Sequence, residues 1–320
     1  MELILSHQSA LECLRLFPAR RHRGITRTRS DAHVSGASSA AIMRHLCRSG
    51  CGSVSTPVHL FATSAEARCR CLGTRWHVHE APLPRESFWR AGEGTLSPCP
   101  ELCFVQLAET LPFPRLLEVG FELCGGYAKR PDAPDGFIKR QPVSTISLMK
   151  SFLSSCGPLR GKEQAVRAAR YLAEGSASPM ETAAYLLLCL PERYGGHGLP
   201  RARMNCRIDI DKRKRATTSK GHYRCDLLWP QTGLAVEYDS DLCHTGSDRI
   251  AADAHRRVEL AYLGIETITM TRQQILNRAK TERLASTVAK KLGVRERKRA
   301  DWTREQTGLR AHLLDFSGDL

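Results

Sequence analysis

Apolar positions along the chain change period several times, and each change marks a predicted element. Val58-His59-Leu60-Phe61 and Thr74–His79 alternate in the manner of strands, and the turn between them makes them neighbours. Further on the spacing lengthens. Leu102, Val105, Leu107 and Leu111, then Leu116, Val119 and Leu123, fall on helical stripes separated by Pro112 and Pro114, which predicts a helical hairpin. Gly125-Gly126 and the turn over Pro131–Gly136 close this unit, and helical patterns resume over Ser147–Cys156 and Lys162–Glu174.

A second series starts at Ser178. Ser178 suits a helix N-cap and Pro179 its first position, so Glu181 falls in the first turn of a strongly apolar helix. After Gly195, Gly196, Gly198 and Pro200, three strands follow over Asn205–Ile210, His222–Pro230 and Gly233–Asp239, an antiparallel meander. A helix through Arg249, Arg256, Leu260 and Leu263 ends at Gly264, and a last strand runs to Thr269. The order is helix, three strands, helix, strand.

This pattern divides the chain into a basic, partly flexible segment at 1–56 and a small α/β-helical recognition or docking module at 57–130. A helical linker at 131–177, a second α/β domain at 178–292 and a basic tail at 293–320 complete it. With 320 residues, two domains can each bury a core. Residues 17–40 carry Arg20, Arg21, His22, Arg23, Arg27 and Arg29 before a Ser/Gly/Ala stretch, a composition that packs poorly.

Charge narrows the choice of partner. Lys and Arg outnumber Asp and Glu by 48 to 33, a net charge of +15, so nucleic acid is the first partner to consider. Between 201 and 224 stand nine basic residues against two acidic ones. Among them Lys212, Arg213, Lys214 and Arg215 form a hairpin tip, with Lys220 and Arg224 beside it, and Arg249, Arg256 and Arg257 add cations from the following helix. A solvated edge guarded against strand pairing gives the same pattern. Trp302, in the tail, is suited either to stack on a base or to pack on the domain.

The opening residues lack the uninterrupted apolar run of a secretory signal, and no stretch of about 18 apolar residues occurs, so a cytoplasmic protein without membrane spans is expected. Several of the thirteen cysteines, Cys124 and Cys189 among them, sit in apolar segments as small hydrophobes. The pairs Cys69/Cys71 and Cys99/Cys103 have no matching second pair at zinc-ligand spacing, so no structural zinc is expected.

The chemistry gathers on acids. If the strands pair, Asp226 and Glu237 meet on one sheet face and repel unless a cation intervenes. Hard oxygen ligands of this kind suit Mg²⁺ or Mn²⁺. His244, five residues after Asp239, is placed to orient or protonate a reacting group.

The ordered set Ser178…Glu181, Arg224-Cys225-Asp226, Ala235-Val236-Glu237-Tyr238-Asp239, His244, Asp253…Arg257, Leu260 and Gly264 resembles the very-short-patch-repair endonuclease-like domains of the wider PD-(D/E)XK nucleases. That resemblance implies a restriction-endonuclease-like mixed sheet flanked by helices, with metal held by Asp226 and Glu237. It also implies Glu181 as a supporting acid, His244 as a catalytic histidine and DNA as substrate. The sequence departs from the wider pattern at Asp239, where a lysine is usual; Asp239 then adds a ligand or orients His244, and Lys220 or Arg224 offers the missing cation. A non-catalytic DNA-binding regulator built on the same fold stays open for that reason. Residues 55–127 weakly resemble the central part of abortive-infection type IV antitoxins, which leaves a protein partner for this module open.

Overall fold

The computed structural model describes residues 2–16, 38–69, 71–210, 221–239, 247–296 and 299–314, with the backbone alone at 247–250 and 253. It is a mixed α/β protein that divides into two compact units, one ending at Leu172 and the other beginning at Ala173.

The first unit opens with β1 (Leu3–Ile4) and α1 (His7–Leu16), followed by α2 (Ser39–Arg48), β2 (Val58–Ala62) and β3 (Thr74–Val78). Next come β4 (Phe88–Gly92), β5 (Thr95–Pro98), the hairpin α3 (Pro100–Leu107) and α4 (Phe113–Cys124), then β6 (Tyr127–Lys129) and β7 (Phe137–Lys139). Helices α5 (Ile146–Ser155) and α6 (Lys162–Ala169) close the unit. β1 lies parallel to β5, which pairs antiparallel with β4. The predicted neighbours β2 and β3 pair in parallel, His59 beside Arg75 and Phe61 beside His77.

Burial explains why the first unit reaches further than the sequence pattern suggested. Leu3, Leu5, Leu11 and Leu14 from the expected N-terminal arm are core residues, as are Met149, Leu153, Ala165 and Ala168 from the expected linker. Arg15 and Glu122 form a buried bidentate pair at 2.8 and 2.7 Å, and Glu122 also accepts from the Lys129 N–H. At Gly120 a Cβ would meet Leu172 at 2.6 Å, so glycine lets the end of the unit fold back on α4. The arginines at 20–29 lie outside the described residues.

The second unit follows the predicted order. α7 (Pro179–Cys189) leads to β8 (Arg203–Asp209), β9 (His222–Trp229) and β10 (Leu234–Asp239), and α8 (Ser247–Tyr262) precedes β11 (Glu266–Thr271). The strands form one sheet in the order β11-β10-β9-β8, antiparallel except for the parallel pair of β10 and β11. Leu260 of α8 packs against Tyr223, Cys225 and Ala235. Three more helices follow, α9 (Arg272–Leu276), α10 (Arg278–Lys291) and α11 (Trp302–Leu313). The expected basic tail therefore contains a packed helix: Trp302 is buried and donates from Nε1 to the Gly196 carbonyl at 2.8 Å, which removes it as a base-stacking residue.

No described helix is long and apolar enough to cross a membrane. All described cysteines are free thiols.

Candidate functional site

Glu181 is where the helix signal placed it. Ser178 caps α7 by accepting from the Glu181 N–H at 3.1 Å, Pro179 occupies the first turn, and Glu181 Oε2 accepts from the Ala177 N–H at 2.9 Å. This reciprocal cap fixes the carboxylate. The Ser178 hydroxyl also donates to Oε1, at 3.1 Å, and the Asn205 amide donates to Oε2. Asn205 has a φ of 44°, a left-handed conformation that a non-glycine residue holds only when its surroundings enforce it. Both of its oxygens accept hydrogen bonds, so Glu181 organises the helix start.

Asp226 and Glu237 lie where the ladder between β9 and β10 ends. The last paired residues are Val236 and Leu227, so the next step in register sets Glu237 opposite Asp226. There side chains replace backbone partners: Tyr238 N–H donates to Asp226 Oδ2 at 2.8 Å, and the Arg256 guanidinium donates to the Arg224 carbonyl at 2.6 Å. On the other side, the β8 register also skips Asn205 and Asp226. The sheet is locally opened around the acids.

Arg256 reaches from α8 to Glu237 Oε2 at 2.8 Å. The other oxygen, Glu237 Oε1, is buried without a nitrogen or oxygen donor, and the buried Cys225 thiol beside this carboxyl is the one weak donor that favours its charge. Burial, reinforced by the nearby charge of Asp226, pushes the Glu237 carboxyl up to about 7. Asp226 is also raised by burial, against the Tyr238 N–H and Arg256 that favour its ionised form. Glu181 is raised by burial and then by Asp226. Asp226 thus raises both Glu181 and Glu237, and Arg256 offsets part of the charge of Asp226 and Glu237. A buried carboxylate oxygen beside a second desolvated carboxylate is a donor set suited to a hard divalent cation such as Mg²⁺ or Mn²⁺.

Asp239 ends β10 beside Thr271. Arg224 is exposed and donates to the Asn205 carbonyl at 3.2 Å, so it does not supply the cation missing from the Asp239 position. Arg256 does. It stands four and seven residues before Leu260 and Leu263, on the stripe facing the sheet, a spacing that identifies it as an inward cation. Arg257 is exposed. His244, Lys212, Arg213, Lys214, Arg215 and Lys220 lie outside the described residues, as does the side chain of Arg249.

The sequence reading missed Asn205, taken only as the start of a strand, and Cys225, whose thiol is buried beside Glu237 and pushed up first by that burial. Asn205 carried no signal, because its role depends on a backbone irregularity.

Comparison with family models, with curated proteins and with solved structures gave no match.

Proposed function

We propose that the second unit is a metal-dependent endonuclease that hydrolyses phosphodiester bonds in DNA, with a restriction-endonuclease-like sheet and its centre at Asp226 and Glu237. The observation that carries this reading is the buried Glu237 Oε1, without a nitrogen or oxygen donor, beside Asp226 at the point where β9 and β10 part. Asp226 and Glu237 would hold Mg²⁺ or Mn²⁺; the bound ion supplies Lewis acidity to a water and a phosphate. The chain's own residues do the rest. Arg256 stabilises negative charge next to the acids from a fixed position, and Glu181 with Asn205 holds the β8 side of the opening.

Basic residues around this opening favour a polyanion. Arg207 and Arg224 are directly paired across β8 and β9; Asp209 meets Arg207 at 2.7 Å, and the exposed Arg224 pairs with no carboxylate among the described residues, so it favours an added anion. β8 is an edge strand, so the same arginines also discourage edge pairing.

The second reading, a DNA-binding regulator without turnover, is favoured by Asp239 in place of lysine. One experiment separates the two. Supercoiled plasmid and mismatched duplex are incubated with the full chain and Mg²⁺ or Mn²⁺, alongside Asp226→Ala and Glu237→Ala variants whose circular dichroism matches the parent. The nuclease reading predicts metal-dependent nicking that both substitutions abolish. Salt-sensitive binding without nicking would replace it by the regulator.

A further inference from the structure

The first unit contains a second cluster with ligand chemistry, unrelated to the acids. His7 opens α1, His59 lies in β2, His77 lies in β3, and one ring nitrogen from each falls within 4.8 Å of the other two. Among the described residues it is the one group of three or more such side chains gathered this closely. His77 Nε2 and His59 Nδ1 are 3.1 Å apart, and the His7 and His77 rings stack at 3.6 Å between centroids. His7 Nδ1 is held by the Ser6 hydroxyl at 2.8 Å, which turns Nε2 inward. That Nε2 is buried without a hydrogen-bond partner in a residue only 3% exposed, and its nearest charge is Glu109 Oε2 at 3.6 Å.

A buried ring nitrogen left without a partner calls for one. We propose that His7, His59, His77 and Glu109 form a zinc site, with His7 Nε2, His59 Nδ1, His77 Nε2 and Glu109 Oε2 as its four donors. Three imidazoles and a carboxylate are a zinc donor set, and ring nitrogens at these separations reach a common ion at about 2.0–2.1 Å after small side-chain rotations. The stacked His7 and His77 rings must tilt apart in doing so. Arg75 opposes a cation here, since its charge is felt by all three histidines, whereas Glu12 and Glu109 favour one. Glu109 keeps Oε2 available because its ion pair, with the largely exposed Arg160, uses Oε1.

With Glu109, now beside His7 alone, swung in as the fourth donor, the site is closed, hence structural: it joins the start of α1, both strands of the β2–β3 pair and the turn after α3. Cysteine spacing could not reveal it, because its donors are three histidines from three separate elements and a glutamate from the turn after α3.

The test uses the full chain, stripped of metal by a chelator and titrated with Co²⁺ and then Zn²⁺. The expected result is one Co²⁺ per chain with the intense visible bands of four-coordinate geometry, bleached by Zn²⁺. Affinity should fall at least 10²-fold in His59→Gln and in His77→Gln, both partly exposed positions, and about 10-fold in Glu109→Gln. A measurement on the unmodified sequence guards against variants that fail to fold: Zn²⁺ should protect His7, His59 and His77 from diethyl pyrocarbonate, read by mass spectrometry. Equal labelling with and without Zn²⁺ would overturn the site. Loss of Co²⁺ binding only in the Asp226→Asn, Glu237→Gln double variant would do the same, since the ion would then belong to the acids.

Discussion

At the scale of single residues, Glu237 makes a prediction of definite sign. Its folded carboxyl is raised from the ordinary 4.5 to about 7, so the folded state binds more protons than the unfolded one between those values. The stabilising contribution is fully present below pH 4.5 and is lost as pH rises through 7. Without divalent metal, Glu237→Gln should raise stability at pH 8 by about 2 kcal/mol and change it little at pH 4.5. Chemical denaturation at the two pH values checks this, and an equal effect at both would contradict the desolvated site. Arg256 makes a second prediction. Arg256→Ala should reduce cleavage by about 10²-fold, and Arg256→Lys by less, because the charge acts from a fixed position beside Glu237. A pre-steady-state cleavage rate distinguishes these variants.

At the scale of elements, the order from α7 to β11 was legible, and the physical reason is local. Ser178 and Pro179 specify a helix start, alternation specifies β9 and β10, and Gly264 at a φ of 82° ends the turn after α8. Asp226 and Glu237 were legible for the same reason, since strand pairing alone brings them together. The role of Arg256 was legible only in its spacing to Leu260 and Leu263, where a cation on an apolar stripe reads first as a phosphate contact. Helix α11 was hidden because its interior is mostly polar, and what holds it is long-range: Trp302 against Gly196, and Gln306 near His197. Trp302→Ala should therefore cost about 3–5 kcal/mol, measured by denaturant unfolding. A near-neutral effect would return Trp302 to the surface. Gly196 is equally constrained, since a Cβ there collides with the Leu190 carbonyl, and Gly196→Ala should lower the melting temperature of the second unit.

At the scale of the whole molecule, the second unit begins at Ala173, close to the 178 expected, but the inclusion of the first 16 residues and of 131–172 in the first unit was not legible, because the contacts that set it join distant segments. The pair Arg15–Glu122 and the packing of Leu172 on Gly120 give no periodic signal. The net charge of +15 was legible from composition, and it sets the expected behaviour toward DNA: binding should weaken steeply as salt is raised. A fluorescence anisotropy series in increasing KCl checks that slope, and salt-independent binding would argue against a backbone-directed surface.

The central claim is that Asp226 and Glu237 form a divalent-cation site, and Mn²⁺ binding followed by electron paramagnetic resonance tests it most directly. The full chain should remove free Mn²⁺ signal through a saturable site that disappears in the Asp226→Asn, Glu237→Gln double variant while the fold is retained. Identical isotherms for the parent and the double variant would contradict the account.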